Sequence, residues 1–200
     1  MAEINWLPAG ENAVLLEVSA LATAHQVWAA LRQADLPGVL DVVIGARTVL
    51  VVAEPGFDVD SVREVAARAG PGPDIAARTV EIPVTYEGAD LADVATRTGL
   101  STVDIVRMHS AVEYVVAFLG FAPGFAYLTG LDRALQLPRR DIPRTRVPAG
   151  SVAVAGEYAA VYPSPSPGGW HLLGRTSVRL FDPDEGALLG PGDRVRFVPQ

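Results

Sequence analysis

The sequence predicts an α+β chain in two parts, a β-α-β-β-α-β unit over residues 1–84 and a closed or nearly closed β-barrel over residues 85–200. Three observations predict it. Apolar runs with strand character alternate with helical spacing between Ala13 and Tyr86. From Tyr114 onward, short apolar runs alternate with Gly/Pro turns. The polar stretch Tyr86-Glu87-Gly88-Ala89-Asp90 separates the two patterns.

In order, Ala13–Val18 reads as a strand, and Ser19 is placed to cap the next helix. Leu21, Val27, Trp28 and Leu31 recur at helical spacing until Leu36-Pro37-Gly38 stops the run. Val39–Ile44 and Thr48–Ala53 are β-branched runs joined by Gly45-Ala46-Arg47, a hairpin signal. Asp58 or Asp60 caps a second helix that Gly70-Pro71-Gly72-Pro73 breaks, and Arg78–Tyr86 alternates as the closing strand. This order matches the ferredoxin-like split βαβ motif, which argues structure and not activity. Two short helices follow, Leu91–Thr98 and Thr102–Val112, the second opened by Ser101-Thr102-Val103-Asp104, close to a capping box. The remaining strands fall at Gly120–Tyr127, Val147–Val154, Ala159–Tyr162, Trp170–Leu173, Ser177–Phe181 and Arg194–Val198.

The bulk numbers narrow the functions. A net charge of −7 repels phosphate backbones and anionic lipid, so nucleic acid and membrane surfaces are not expected partners. The uncharged run Tyr114–Leu131 is broken by Gly120, Pro123, Gly124 and Gly130 and reads as strand plus loop, not a membrane span. Met1–Trp6 carries neither a basic nor an apolar leader pattern, so no signal peptide and a cytoplasmic location are expected. Cysteine is absent, which removes disulfides and thiolate chemistry. Lysine is absent too, and all 16 basic residues are arginine. This chain therefore offers no lysine for phosphate binding or a Schiff base, and if it takes part in ATP chemistry the lysine machinery must lie on another chain. Half the residues are apolar and mean hydropathy is +0.26, which suits either a generous core or a surface that meets a partner.

Three loops carry candidate chemistry. In Gly120–Tyr127, Phe121, Pro123, Gly124 and Tyr127 offer close backbone approach and an apolar wall, or simply a tight turn with core aromatics. In Pro143–Ser151, prolines keep the chain extended, so Arg144 and Arg146 point to one side; Pro148, Gly150 and Ser151 follow them. Two adjacent guanidinium groups suit a carboxylate or phosphate, or else surface acids. In Ser164–His171, the Gly168-Gly169 amides can face an oxyanion and Trp170 can stack on a planar ligand, with Ser166 before them and Arg175 beyond; a structural hairpin with a buried Trp is the plainer alternative. His109 lies on the second short helix as a general acid/base or a satisfied core histidine. Three histidines without HxH or HxxxH spacing argue against a transition-metal site.

The motifs Met108-His109-Ser110, Phe118–Leu128, Pro138-Arg139, Pro143–Val152, Ser166–Trp170, Gly174-Arg175-Thr176 and Pro191–Phe197 resemble, in this order, the family of KipI and the 5-oxoprolinase B subunit (PxpB), whose members are also called allophanate hydrolase subunit 1. The likeness runs from Pro83 to Pro199. It implies a ferredoxin-like N-terminal domain and a cyclophilin-like barrel. It also implies two companion chains, the 5-oxoprolinase C subunit (allophanate hydrolase subunit 2) and the 5-oxoprolinase A subunit, in an assembly that hydrolyses 5-oxoproline to glutamate with ATP and Mg. No cofactor is expected on this chain itself. Alternatives within the resemblance are a KipI-like inhibitor of histidine kinase autophosphorylation and a carboxyltransferase-type module of a urea or allophanate pathway. Where a glycine-rich stretch is expected after Gly156, this chain has Glu157-Tyr158-Ala159-Ala160. Beyond what the resemblance implies, our own expectation is that Arg144 and Arg146 hold the substrate carboxylate or a phosphorylated intermediate, the Gly168-Gly169 amides stabilise an oxyanion, and His109 moves a proton.

Overall fold

The structure, a computed structural model, describes residues 3–70 and 78–200, so Pro71-Gly72-Pro73 lie outside the described residues. Two compact units divide the chain, Met1–Ala76 and Ala77–Gln200.

The first unit runs β1 (Asn5–Pro8), β2 (Ala13–Glu17), α1 (Leu21–Ala34), β3 (Val39–Ile44), β4 (Thr48–Ala53) and α2 (Val59–Arg68). Its sheet is antiparallel in the order β1-β2-β4-β3. α1 buries Ala24, Val27 and Leu31 at positions i, i+3 and i+7, and α2 buries Val62 and Ala66 at i and i+4. They cover the alternate residues Val14 and Leu16 of β2 and Val49, Val51 and Ala53 of β4. Asp58 caps α2 by accepting from the Asp60 N–H, whereas α1 starts after Ala20 with no side-chain cap, so Ser19 does not serve there.

The strand expected to complete this unit does not do so. Thr79–Val84 is β5, and it pairs in parallel with β15 (Arg194–Pro199) in the sheet of the second unit. The edge beside β2 is taken by β1, which the sequence reading did not identify because Trp6-Leu7-Pro8 offers too short an alternation. The element order of the first unit is therefore ββαββα, a correction to β-α-β-β-α-β.

The second unit continues with α3 (Leu91–Thr98), α4 (Thr102–Ser110), β6 (Glu113–Leu119), β7 (Ala126–Thr129), a 3-10 turn (Arg133–Leu135), β8 (Arg144–Val147), β9 (Ser151–Ala155), β10 (Tyr158–Val161), β11 (Ser166–Gly168), β12 (His171–Arg175), β13 (Phe181–Asp182) and β14 (Gly186–Ala187). Seven strands form one sheet, β12-β9-β10-β7-β6-β15-β5. A bridge between Thr85 and Arg175, with both backbone hydrogen bonds at 2.9 Å, joins its two edges. The mixed α+β chain thus carries a nearly closed barrel-like sheet, and this pairing removes most of the open edge. Ser101 accepts from the Asp104 N–H at α4, as the capping pattern predicts. The expected strand Val147–Val154 is two strands separated by a turn at residues 148–150, and Ser177–Phe181 is strand only at its final residue.

The sheet is apolar on both faces. Val152, Val154, Ala159, Val161 and Leu173 join one core with Ile105, Tyr114 and Phe197. Their alternating neighbours Ala153, Ala155, Ala160, Tyr162 and Leu172 join a second cluster with Phe125, Val147 and Trp170. This explains the continuous apolar runs in β9 and β10, since each fully buried Val or Phe contributes about 1.5–3 kcal/mol.

Candidate functional site

Charge in the second unit converges on Asp90, which is only 2 % exposed. It precedes α3 but makes no side-chain cap bond. Its carboxylate instead accepts from Arg144 Nη1 and Nη2 at 2.8 and 2.7 Å, from Arg140 Nη1 at 2.6 Å and from the Leu172 N–H at 2.8 Å. Burial pushes its pKa up, but the Arg144 pair, the Leu172 amide and Arg140 outweigh that and hold it below the usual carboxylate range. The same pairing raises the pKa of Arg144. Two guanidinium groups against one carboxylate leave an excess positive charge. Arg140 Nε is buried without a partner among the described residues, as is Ser166 Oγ.

The expected pairing of Arg144 with Arg146 around an anion is corrected here. Arg144 is committed to Asp90, while Arg146 is exposed and makes no ion pair among the described residues. The reason is a bulge: Val147 faces Ser166 but Arg144 faces Gly168, so β8 carries one residue more than β11 over that interval. An extra residue breaks the two-residue alternation that would put both arginines on one side.

His109 is likewise not brought to these arginines. It is fully buried on α4, bonded through Nδ1 to Tyr86 Oη at 2.7 Å and stacked on Phe197 at 4.6 Å. Burial lowers its pKa to about 3 and keeps it neutral. None of these neighbours contacts Asp90, Arg140 or Arg144 in the bonds above, so the acid/base role expected at an anion site is replaced by that of a core histidine.

The glycine and aromatic motifs surround Tyr162. Its ring meets Phe125 edge-on at 5.4 Å, and Phe125 meets Trp170 at 5.5 Å and Tyr127 at 5.1 Å. Trp170 is buried, so it fills core and offers no open stacking face. Burial raises the Tyr162 pKa against a backbone hydrogen bond at Trp170 and the nearby Arg139 and Arg144 charges. Gly168 leaves room for the phenol, because a Cβ there would lie 2.3 Å from Tyr162 Oη. The Gly169 carbonyl accepts from the Arg140 N–H. Gly150 has φ +77°, accepts from the Thr176 N–H and would place a Cβ 2.2 Å from the Thr176 carbonyl. Gly124 is buried against Leu180 and Phe181. Packing thus accounts for Gly124, Gly150 and Gly168 without a ligand. Ser151 donates to the Pro148 carbonyl at 2.8 Å, and Arg175 pairs with Glu87.

Phe121 is different. It is 63 % exposed and has φ +70°, a left-handed backbone for a bulky residue. Such strain costs about 1–3 kcal/mol and concentrates at functional positions. Its ring edge leans on Phe125 at 5.2 Å and reaches towards Tyr162 at 6.5 Å, and Pro123 in the same loop is exposed. Phe121, Arg139 and Arg146 are therefore among the accessible groups of this region, together with Pro123, Asp141 and Ile142. Asp90 escaped sequence reading because one acid in a Gly-Ala-Asp turn has no periodicity; the signal present was the density of arginines at 139, 140, 144 and 146, which requires a counter-ion.

This chain belongs to the carboxyltransferase domain family, subdomains C and D, which it matches over residues 4–188. Within it, the chain groups with the B subunits of 5-oxoprolinase. It is 45 % identical over 204 residues to the 5-oxoprolinase B subunit of Escherichia coli O157:H7, covering 96 % of this chain and 94 % of that protein. It is 37 % identical to that of Haemophilus influenzae, covering 98 % and 97 %. Among solved structures, TTHA0988 superposes with TM-score 0.85 at 39 % identity over 94 % of this chain, which spans only 40 % of that longer one. PH0987 from Pyrococcus horikoshii gives TM-score 0.60 at 36 % identity and covers 98 % and 97 %. The Kluyveromyces lactis urea carboxylase, TM-score 0.75 at 18 % identity over all of this chain and 22 % of that one, shares the fold.

Proposed function

We propose that this chain is the B subunit of an ATP-dependent 5-oxoprolinase complex that opens 5-oxoproline to glutamate, with its site completed by a C subunit and served by an A subunit. The carrying observation is the near end-to-end match, at 45 % identity, to a protein named as the B subunit of 5-oxoprolinase. The geometry supports a shared site. Arg144 and both barrel-unit histidines are bound internally, while Phe121, Arg139 and Arg146 are exposed. That TTHA0988 contains this unit within a chain more than twice as long supports a larger partner. On this reading Arg139 and Arg146, in place of Arg144, receive the carboxylate of 5-oxoproline. On this reading ATP and Mg serve the whole complex, and since the chain has no lysine any lysine that contacts the phosphates comes from another subunit. No helix among the described residues is long and apolar enough to cross a membrane.

The test is to co-express the chain with its candidate A and C subunits and to follow glutamate release from 5-oxoproline. Release that needs ATP and all three chains is expected. A well-folded complex that leaves 5-oxoproline intact would exclude the proposal.

A further inference from the structure

Arg139 is exposed in the irregular stretch between the 3-10 turn and β8, and its charge is felt at the Tyr162 phenol. A long, exposed side chain on an unanchored backbone would lose much freedom on gripping a ligand, and a backbone fixed beforehand lowers that cost. The residues around Arg139 are fixed in this way. The Leu137 carbonyl accepts from the Gly156 N–H at 2.7 Å. The Arg140 N–H donates to the Gly169 carbonyl at 2.8 Å, and Arg140 Nη1 donates to Asp90 at 2.6 Å. Pro138 has no N–H, so its carbonyl is its one backbone group for hydrogen bonding. That carbonyl lies 2.9 Å from His171 Nε2.

His171 is fully buried on β12. Its partner settles the direction of the bond, because a carbonyl oxygen only accepts, so Nε2 carries the proton. The other tautomer would set two lone pairs against each other at 2.9 Å. It would also bury an N–H at Nδ1, which has no hydrogen-bond partner among the described residues and lies 3.9 Å from Asp93 Oδ2, beyond hydrogen-bond reach.

The next residue, Leu172, donates its N–H to Asp90 at 2.8 Å. Two consecutive residues of β12 thus hold the chain on both sides of Arg139: His171 grips Pro138 directly, and Leu172 grips Arg140 through Asp90. Resting on the 5-oxoprolinase reading, we propose that His171 is a positioning residue of that site, whose Nε2–H holds the Pro138 carbonyl and so fixes the backbone from which Arg139 reaches the substrate carboxylate. His171 touches no substrate itself. Its effect passes through Arg139 and falls on binding, not on the bond that is broken.

The test is steady-state turnover of 5-oxoproline by the complex assembled from this chain and its candidate A and C subunits. His171→Leu should raise KM about tenfold and leave kcat within about twofold, since the substrate is held less well and the reacting groups are untouched. His171→Gln carries an N–H donor the same number of bonds from Cα and should recover most of the loss. Arg139→Ala should raise KM by itself, and His171→Leu added to it should raise KM no further, because the clamp then has no guanidinium to place. Nitrogen NMR of the unmodified chain should read the His171 ring with its proton on Nε2, a measurement that needs no variant to fold. An unmodified complex that leaves 5-oxoproline intact overturns the reading and this proposal together. With that complex active, the proposal alone is overturned by an unchanged KM in His171→Leu, a fall in kcat alone, no recovery in His171→Gln, an additive effect with Arg139→Ala, or an Nδ1–H ring.

Discussion

Asp90 stitches the start of α3 to the loop holding Arg140, to β8 and to β12 through four hydrogen bonds from three residues. Replacing it by alanine leaves two guanidinium groups facing each other. The expected loss is about 2–3 kcal/mol, at the low end for a broken buried pair because the arginine side chains stay 25–28 % exposed; chemical denaturation measures it. The pH dependence follows from the depressed carboxyl. Its contribution is fully present above the unfolded value of about 3.9 and is lost as pH falls through the lower folded value. The stability gap between the native chain and Asp90→Ala should therefore be constant near neutrality and close in acid. Arg144→Ala should destabilise by a similar amount, whereas Arg146→Ala should stay within about 0.5 kcal/mol and alter only ligand affinity. Melting of the Arg146 variant at a lower temperature would assign that residue a structural role.

At the level of elements, the loop between β6 and β7 and the bulged ribbon β8–β11 shape the exposed region. Phe121 holds a left-handed conformation that glycine would adopt without strain. In Phe121→Gly the relieved strain offsets the lost ring contacts, so thermal stability should change by less than about 1 kcal/mol. The assembled complex should nevertheless lose most of its activity; retained activity would show that the ring is dispensable. Gly150→Ala combines the left-handed φ with a contact to the Thr176 backbone, which cannot move without disturbing β12, so a loss of about 3 kcal/mol is expected from denaturant unfolding. The bulge also shows why an alternation argument, valid along a regular strand, failed for Arg144 and Arg146: an extra residue leaves no trace in the period of a four-residue stretch.

For the whole molecule, β5 decides what is a folding unit. It fills an edge of the seven-stranded sheet beside β15, and its continuation at Thr85 bridges to Arg175. A fragment of residues 78–200 should fold cooperatively by circular dichroism and thermal melting. A fragment starting at residue 86 should not, because β15 then exposes an unpaired edge and Ile82 and Val84 vanish from the core.

What the sequence determined by itself was local or repeated many times: the helices, the stop of α1 before Pro37, the hairpin at Gly45, the Ser101 cap and the many-stranded second half. Periodicity, capping chemistry and turn residues act within a few positions, so they are readable without the fold. Only the tertiary structure decided that β1 and not β5 completes the first sheet, that His109 is sealed among aromatics, and that Asp90 takes Arg144 from Arg146. Those outcomes join residues as much as 115 positions apart, from β5 to β15, or 54 apart, from Asp90 to Arg144. Such pairings are set by competition among all available edges and counter-ions, and no local pattern encodes which one wins.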